Sequence, residues 1–289
     1  MIIGSKKMLT LLAVGASLVA AAASAQTLSP EQIAAILASP DRSPADRTND
    51  VRRKPAEMLA FIGLRPGMVA FDIFAGGGYT TELLARSIGP TGQVFGQSRA
   101  PTAQPAPRPA APEGNANPSA TPAPAAATPP PAATAPRPSP VALADRESKM
   151  KAAGVAAAPI TAVVRPFEDP IPPELAEGRL DLVTLMFNYH DTGFLGIDRA
   201  AMNRAVFKAL KPGGMYVIAD HAGRPGTGIS ESGTLHRIEE AFLRQEIEAV
   251  GFKLAAEGKF LRNPNDPRDK NTPDPPQPKD EFVLKFTKP

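Results

Sequence analysis

Between residues 68 and 250, short apolar runs alternate with longer segments of helical period, and this alternation leaves few folds open. Residues 68–74, 93–96, 160–164, 180–187 and 215–219 are short and rich in Val, Ile, Leu and Phe, as strands buried on both faces are. Between them, 79–88, 141–153, 199–210 and 235–250 carry apolar residues at helical spacing; Met202, Val206 and Leu210, for example, share one face. Strand and helix in turn predict a doubly wound α/β fold, a mostly parallel sheet with helices on both faces. Residues 252–260 and 281–286 read as two more strands, split by a loop rich in Pro and Asp.

Ahead of the sheet, Ser29-Pro30-Glu31-Gln32 is a helix start, with Ser as cap, Pro in the first turn and Gln three residues on. That helix should reach Ala38. Residues 40–49 are polar and read as turns, and a second helix opens near Pro55, turns Met58, Leu59 and Ile62 inward and ends at Gly63.

One stretch breaks the pattern without replacing any element. Residues 99–140 hold fourteen of the 34 prolines, interleaved with Ala, Thr and Ser, and a single acid, Glu113. Such a stretch cannot bury enough apolar surface to offset its ordering entropy, so a disordered or partly polyproline linker is expected. Both flanks are needed to finish one sheet. The expectation is therefore one domain, 26–289, carrying a Pro/Ala-rich insertion.

Residues 1–25 read as a secretory signal: Lys6 and Lys7, an apolar stretch of small residues, then Ala23-Ser24-Ala25 before Gln26. A periplasmic or secreted location follows, with no stable membrane anchor after cleavage. The absence of cysteine excludes disulfides, thiolate metal sites and a Cys nucleophile. The formal charge of +3 falls to +1 without Lys6 and Lys7, and no basic run suggests a nucleic-acid partner.

The segment Asp72-Ile73-Phe74-Ala75-Gly76-Gly77-Gly78-Tyr79 joins the first strand to its helix. Glycines there let the backbone approach a ligand, and the helix start offers oriented N–H groups. A plain tight turn would need the same residues. In this place, however, the segment resembles motif I of class I S-adenosylmethionine-dependent methyltransferases. Leu210-Lys211-Pro212-Gly213-Gly214-Met215 resembles the turn before that family's fifth strand. Asn188-Tyr189-His190-Asp191, Asp220-His221-Ala222-Gly223, Leu235-His236-Arg237-Ile238, Leu261-Arg262-Asn263-Pro264 and Phe282-Val283-Leu284-Lys285-Phe286 resemble a subgroup of exported bacterial predicted methyltransferases.

This resemblance implies a seven-stranded sheet with the last strand antiparallel, S-adenosylmethionine as cofactor and methyl transfer to a small-molecule acceptor. It puts Asp72, Ala75, Gly76, Gly78 and Tyr79 at the cofactor's methionine end, and Gln97, Asp169 and Asn188 around the rest of it. Two positions depart from the family. Phe74 stands where the first glycine is usual, and Gln97 stands where a carboxylate usually meets the ribose. Glu168 and Asp169 serve equally well as a solvated acidic turn.

The three histidines, His190, His221 and His236, all fall after predicted strands four and five. Ligands in open α/β sheets bind outside the carboxyl ends of the strands, so at least His190 and His221 face the ligand side. Asp191 and Asp220 accompany them. A neutral imidazole could take an acceptor's proton as the methyl arrives, with His190 the first candidate; a His/Asp metal site is the rival use. Two other functional classes remain open: a non-catalytic exported binding protein, favoured by Phe74 and Gln97, and a dehydrogenase-like enzyme, disfavoured because Thr81 stands where a third glycine would follow.

Overall fold

The computed structural model describes residues 26–100, 137–273 and 276–289. Residues 1–25 and almost all of the expected linker lie outside them. The strands are β1 (Val69–Ile73), β2 (Gln93–Ser98), β3 (Ile160–Val164), β4 (Leu180–Met186), β5 (Leu210–His221), β6 (Lys253–Gly258) and β7 (Glu281–Thr287). They form one sheet in the order β3-β2-β1-β4-β5-β7-β6. β1 to β5 run parallel, and β7 is antiparallel to both neighbours. β2 and β3 are paired neighbours, so the chain re-enters the same sheet after the insertion.

Side-chain alternation along the strands splits the interior into two cores. Phe71, Ile73, Val183, Leu185, Tyr216 and Ile218 face one way and meet Met202 and Val206 of α7 (Arg199–Ala209) and Leu243 and Ile247 of α8 (Glu240–Ala249). Ala70, Val94, Leu182 and Val217 face the other way. They meet α1 (Pro30–Ala38), α3 (Pro55–Ile62), α4 (Tyr79–Ile88) and α5 (Ser139–Ala152) through Ile33, Leu59, Leu84 and Leu143. Helices thus cover both faces, as the alternation requires. Among the described residues, no helix is long and apolar enough to cross a membrane.

Four local expectations need correction. Of the residues 40–49 expected as turns, 44–49 belong to helix α2 (Pro44–Arg53), capped by the Ser43 hydroxyl, which accepts the Asp46 N–H at 3.1 Å. The Lys211-Pro212-Gly213-Gly214 turn does not precede a strand but is an excursion inside β5: Leu210 pairs with Leu180, and Met215 already pairs with Leu182. The helix read from residue 235 begins only at Glu240. Before it, His236 has φ +50°, and Ala222 and Ile238 form a parallel bridge instead. The last turn of the expected linker is ordered, since α5 starts at Ser139.

Candidate functional site

The carboxyl ends of β4 and β5 bring all three histidines together. His190 follows β4 and opens the short helix α6 (Asp191–Phe194), while His221 is the last residue of β5. Their ring centroids are 5.4 Å apart, and that of His236 lies 5.5 Å from His190. Asp220, fully buried, organises them. Its carboxylate accepts the His190 N–H at 2.8 Å and the His221 N–H at 2.7 Å, and lies 2.6 Å from His190 Nδ1. The other His190 nitrogen, Nε2, is 3.0 Å from Asp191 Oδ1, which is also 3.4 Å from His236 Nδ1. Asn188 Nδ2 donates to Asp191 Oδ2 at 2.9 Å.

With a carboxylate on each ring nitrogen, His190 is an imidazolium. Burial alone would depress it, but Asp220 and Asp191 outweigh burial and push its pKa up to about 9. Burial works against Asp191 and Asp220 too, yet the bonded histidines hold both below the usual carboxylate range. His221 goes the opposite way. Burial, reinforced by the Lys279 charge, holds it well below the ordinary imidazole value, so it is neutral. Its Nδ1 is 2.9 Å from Glu281 Oε1 but out of line for a hydrogen bond. Glu281 opens β7 directly opposite His221, and burial pushes its carboxyl up to about 7. Of the two imidazoles at these strand ends, the neutral one is thus His221 and not His190.

The raised His190 value has a measurable consequence. Between the ordinary value of 6.5 and about 9, the folded protein holds a proton that the unfolded chain has released. The resulting stability is complete below about pH 6.5, disappears as pH rises through about 9, and is on the order of 3 kcal/mol. In denaturant titrations from pH 6 to 9.5, wild type is expected to lose its advantage over His190→Gln with rising pH. Lys279 and Glu281 are present in both proteins, so the difference reports His190. A gap that stays constant would show the folded-state imidazole to be neutral.

The glycine-loop residues divide into two groups. Asp72 points inward. Its carboxylate accepts the Thr81 and Thr184 hydroxyls, each at 2.7 Å, which ties β1 to α4 and β4, and burial pushes it up to about 6. Tyr79 donates its hydroxyl to Asp50 at 2.6 Å. Gln97 is buried and engaged at both ends, accepting from the Phe74 N–H at 3.3 Å and donating to the Arg165 carbonyl at 2.8 Å. Asp169 pairs with Arg165 on the surface. Ala75 is buried and donates its N–H to the Gln97 carbonyl. A side chain at Gly78 would point into the protein, 2.7 Å from Leu143 and 2.8 Å from Arg146 of α5. Only Gly76 and Gly77 present open backbone. Phe74, at φ +57°, stacks on Phe167 with centroids 3.5 Å apart and planes 6° from parallel.

One residue of this region had no sequence signal. Arg53 ends α2, with its guanidinium 4.4 Å from the Phe187 ring centroid and 5.7 Å from that of Tyr79. Among the described residues it has no hydrogen-bond partner and no salt bridge, and burial draws its pKa down to about 10. With Tyr79, Met186 and Phe187 it lines a cleft between α3, α4 and the end of β4. A half-buried guanidinium without a carboxylate partner is a ready place for a ligand's anion.

No protein-family model and no curated protein matches the chain. Solved structures do. A SAM-dependent methyltransferase from Aquifex aeolicus is 13% identical and has a TM-score of 0.50, over 90% of this chain and 98% of that one. A TehB-like SAM-dependent methyltransferase from Corynebacterium glutamicum is 16% identical, at a TM-score of 0.45 and coverages of 86% and 100%. The [4+2]-cyclase SpnF is 14% identical, at 0.49 and coverages of 82% and 83%. Together with the strand order and the antiparallel β7, the Aquifex likeness establishes that this chain has the class I methyltransferase fold.

Proposed function

We propose that the chain is an exported S-adenosylmethionine-dependent methyltransferase acting on a small molecule at the carboxyl ends of β1, β4 and β5. The observation that carries this reading is the unpaired Arg53 guanidinium in the cleft that Tyr79, the residue after the glycine loop, helps to line. Fold alone does not give function; the chemistry of the site does. The residues present fit the amino-acid end of the cofactor: Arg53 would hold its carboxylate, beside Tyr79 and Thr80 at the start of α4. When bound, the cofactor supplies an electrophilic methyl group on a sulfonium. Neutral His221 then takes the acceptor's proton, Glu281 Oε1 lies 2.9 Å from its Nδ1, and the His190 imidazolium lends positive charge to the same site.

A second reading has its own support. Gln97, at the expected ribose position, spends both polar ends inside the protein, and Phe74 is stacked on Phe167. These features favour a non-catalytic binding protein on the same fold. Calorimetry with S-adenosylmethionine, its demethylated product and NAD separates the two. Binding of the first two, but not NAD, is expected. Arg53→Met should then weaken binding about 10- to 100-fold, the worth of a hydrogen bond to a charged group. Silence from S-adenosylmethionine would leave the binding-protein reading standing.

A further inference from the structure

We propose that His190, Asp191 and His236 form a binding site for a first-row divalent transition-metal ion of the Zn2+ class. Asp191 Oδ1 lies between two imidazole nitrogens, His190 Nε2 at 3.0 Å and His236 Nδ1 at 3.4 Å, and all three atoms fall within 4.8 Å of one another. Ligands bonded at about 2.0–2.2 Å to one ion stand about 3 Å apart, close to the spacing Asp191 Oδ1 already keeps from both imidazole nitrogens. Two imidazoles and one carboxylate suit Zn2+, Fe2+ or Co2+ rather than Mg2+ or Ca2+, which prefer oxygen donors.

Two further observations point to an ion. The first is the support around the donors: Asp220 holds His190 through Nδ1, leaving Nε2 to face the ion, and Asn188 holds the second oxygen of Asp191. Metal-binding histidines are oriented by carboxylates in this way. The second is backbone strain. His236 sits at φ +50°, a conformation that costs a non-glycine residue of order 1–3 kcal/mol and that persists where function or surroundings demand it. Asp191 and His236 keep 19% and 27% of their side-chain surface. The ion would therefore remain reachable, with coordination positions left for water or a substrate oxygen, as in catalytic metal sites. A bound ion would supply the positive charge at this site in place of the His190 imidazolium, and its binding is read without any methyl-transfer assay. Without metal, a proton between His190 Nε2 and Asp191 takes the ion's place, and binding releases it.

The test is a titration of the chelator-treated full chain with Zn2+, Co2+ and Mg2+. One equivalent of Zn2+ or Co2+ is expected to bind, with visible Co2+ absorption bands of a mixed nitrogen and oxygen site, and Mg2+ is not. His236→Ala, a change at a partly exposed loop residue, should weaken Zn2+ binding by at least about 10-fold while the melting curve stays cooperative. If that variant does not fold, Asp191→Asn, which keeps the shape of the side chain, carries the same comparison. No saturable one-to-one binding, or binding that the folded variant leaves within two-fold, overturns the proposal.

Discussion

Asp220→Ala is expected to cost about 3–5 kcal/mol of folding stability, the usual cost of breaking a buried charge pair from one side. Asp220 is fully buried and serves three donors: the backbone N–H groups of His190 and His221 and the His190 ring. Removing it strands all three and leaves an imidazolium beside a void. Since a whole domain is stable by only about 5–15 kcal/mol, the variant should unfold in much lower urea than wild type. Asp220→Asn keeps the volume and still accepts from one donor, so it should fall between the two. A midpoint for Asp220→Ala close to wild type would mean that the histidines are placed by packing and not by this carboxylate.

Gly78→Val is the second large effect, with an expected loss of about 3–5 kcal/mol from strain and overpacking together. At φ +79°, a β-branched side chain is forced into left-handed backbone, and its Cβ would stand 2.7 Å from Leu143 and 2.8 Å from Arg146. Arg146 cannot simply move away. It donates to the Gly77 carbonyl at 2.5 Å, grips Asp46 with two bonds of 2.8 and 2.9 Å, and reaches Glu82. The control is Gly77→Ala, whose Cβ meets nothing within 4 Å and should shift stability by less than about 0.5 kcal/mol. Thermal melts of the pair decide the matter. Equal melting temperatures would show α5 to be loosely held against the loop. The resemblance to motif I assigns Gly78 to the ligand; the structure gives that glycine to helix packing, which makes it a poor probe of cofactor binding.

The elements legible in the sequence are those whose stability comes from apolar burial. Strands β1 to β5 and β7 and helices α1, α3, α4, α5 and α7 carry their period in Leu, Ile, Val, Met and Phe. α2 carries none: its one large apolar residue, Val51, is 82% exposed. It is held by polar ties instead, Asp46 to Arg146 and Asp50 to Arg42 and Tyr79. Only Ser43-Pro44, the same start signal as Ser29-Pro30, marked it. Missing α2 also hid Arg53. The meeting of the histidines could be read from their places at strand ends, but their charge states could not. Those depend on the burial of His221 beside the Lys279 charge, and on Asp191 turning back onto His190 in the first turn of α6.

The place of β7 in the sheet has a kinetic side. It is the last strand in sequence, yet it lies inside the sheet between β5 and β6, and its first residue walls the histidine site. Neither β6 nor the site can therefore be finished until residues 281–287 have arrived, however early β1 to β5 condense. Until then the outer edge of β5 offers unpaired amides to any passing strand.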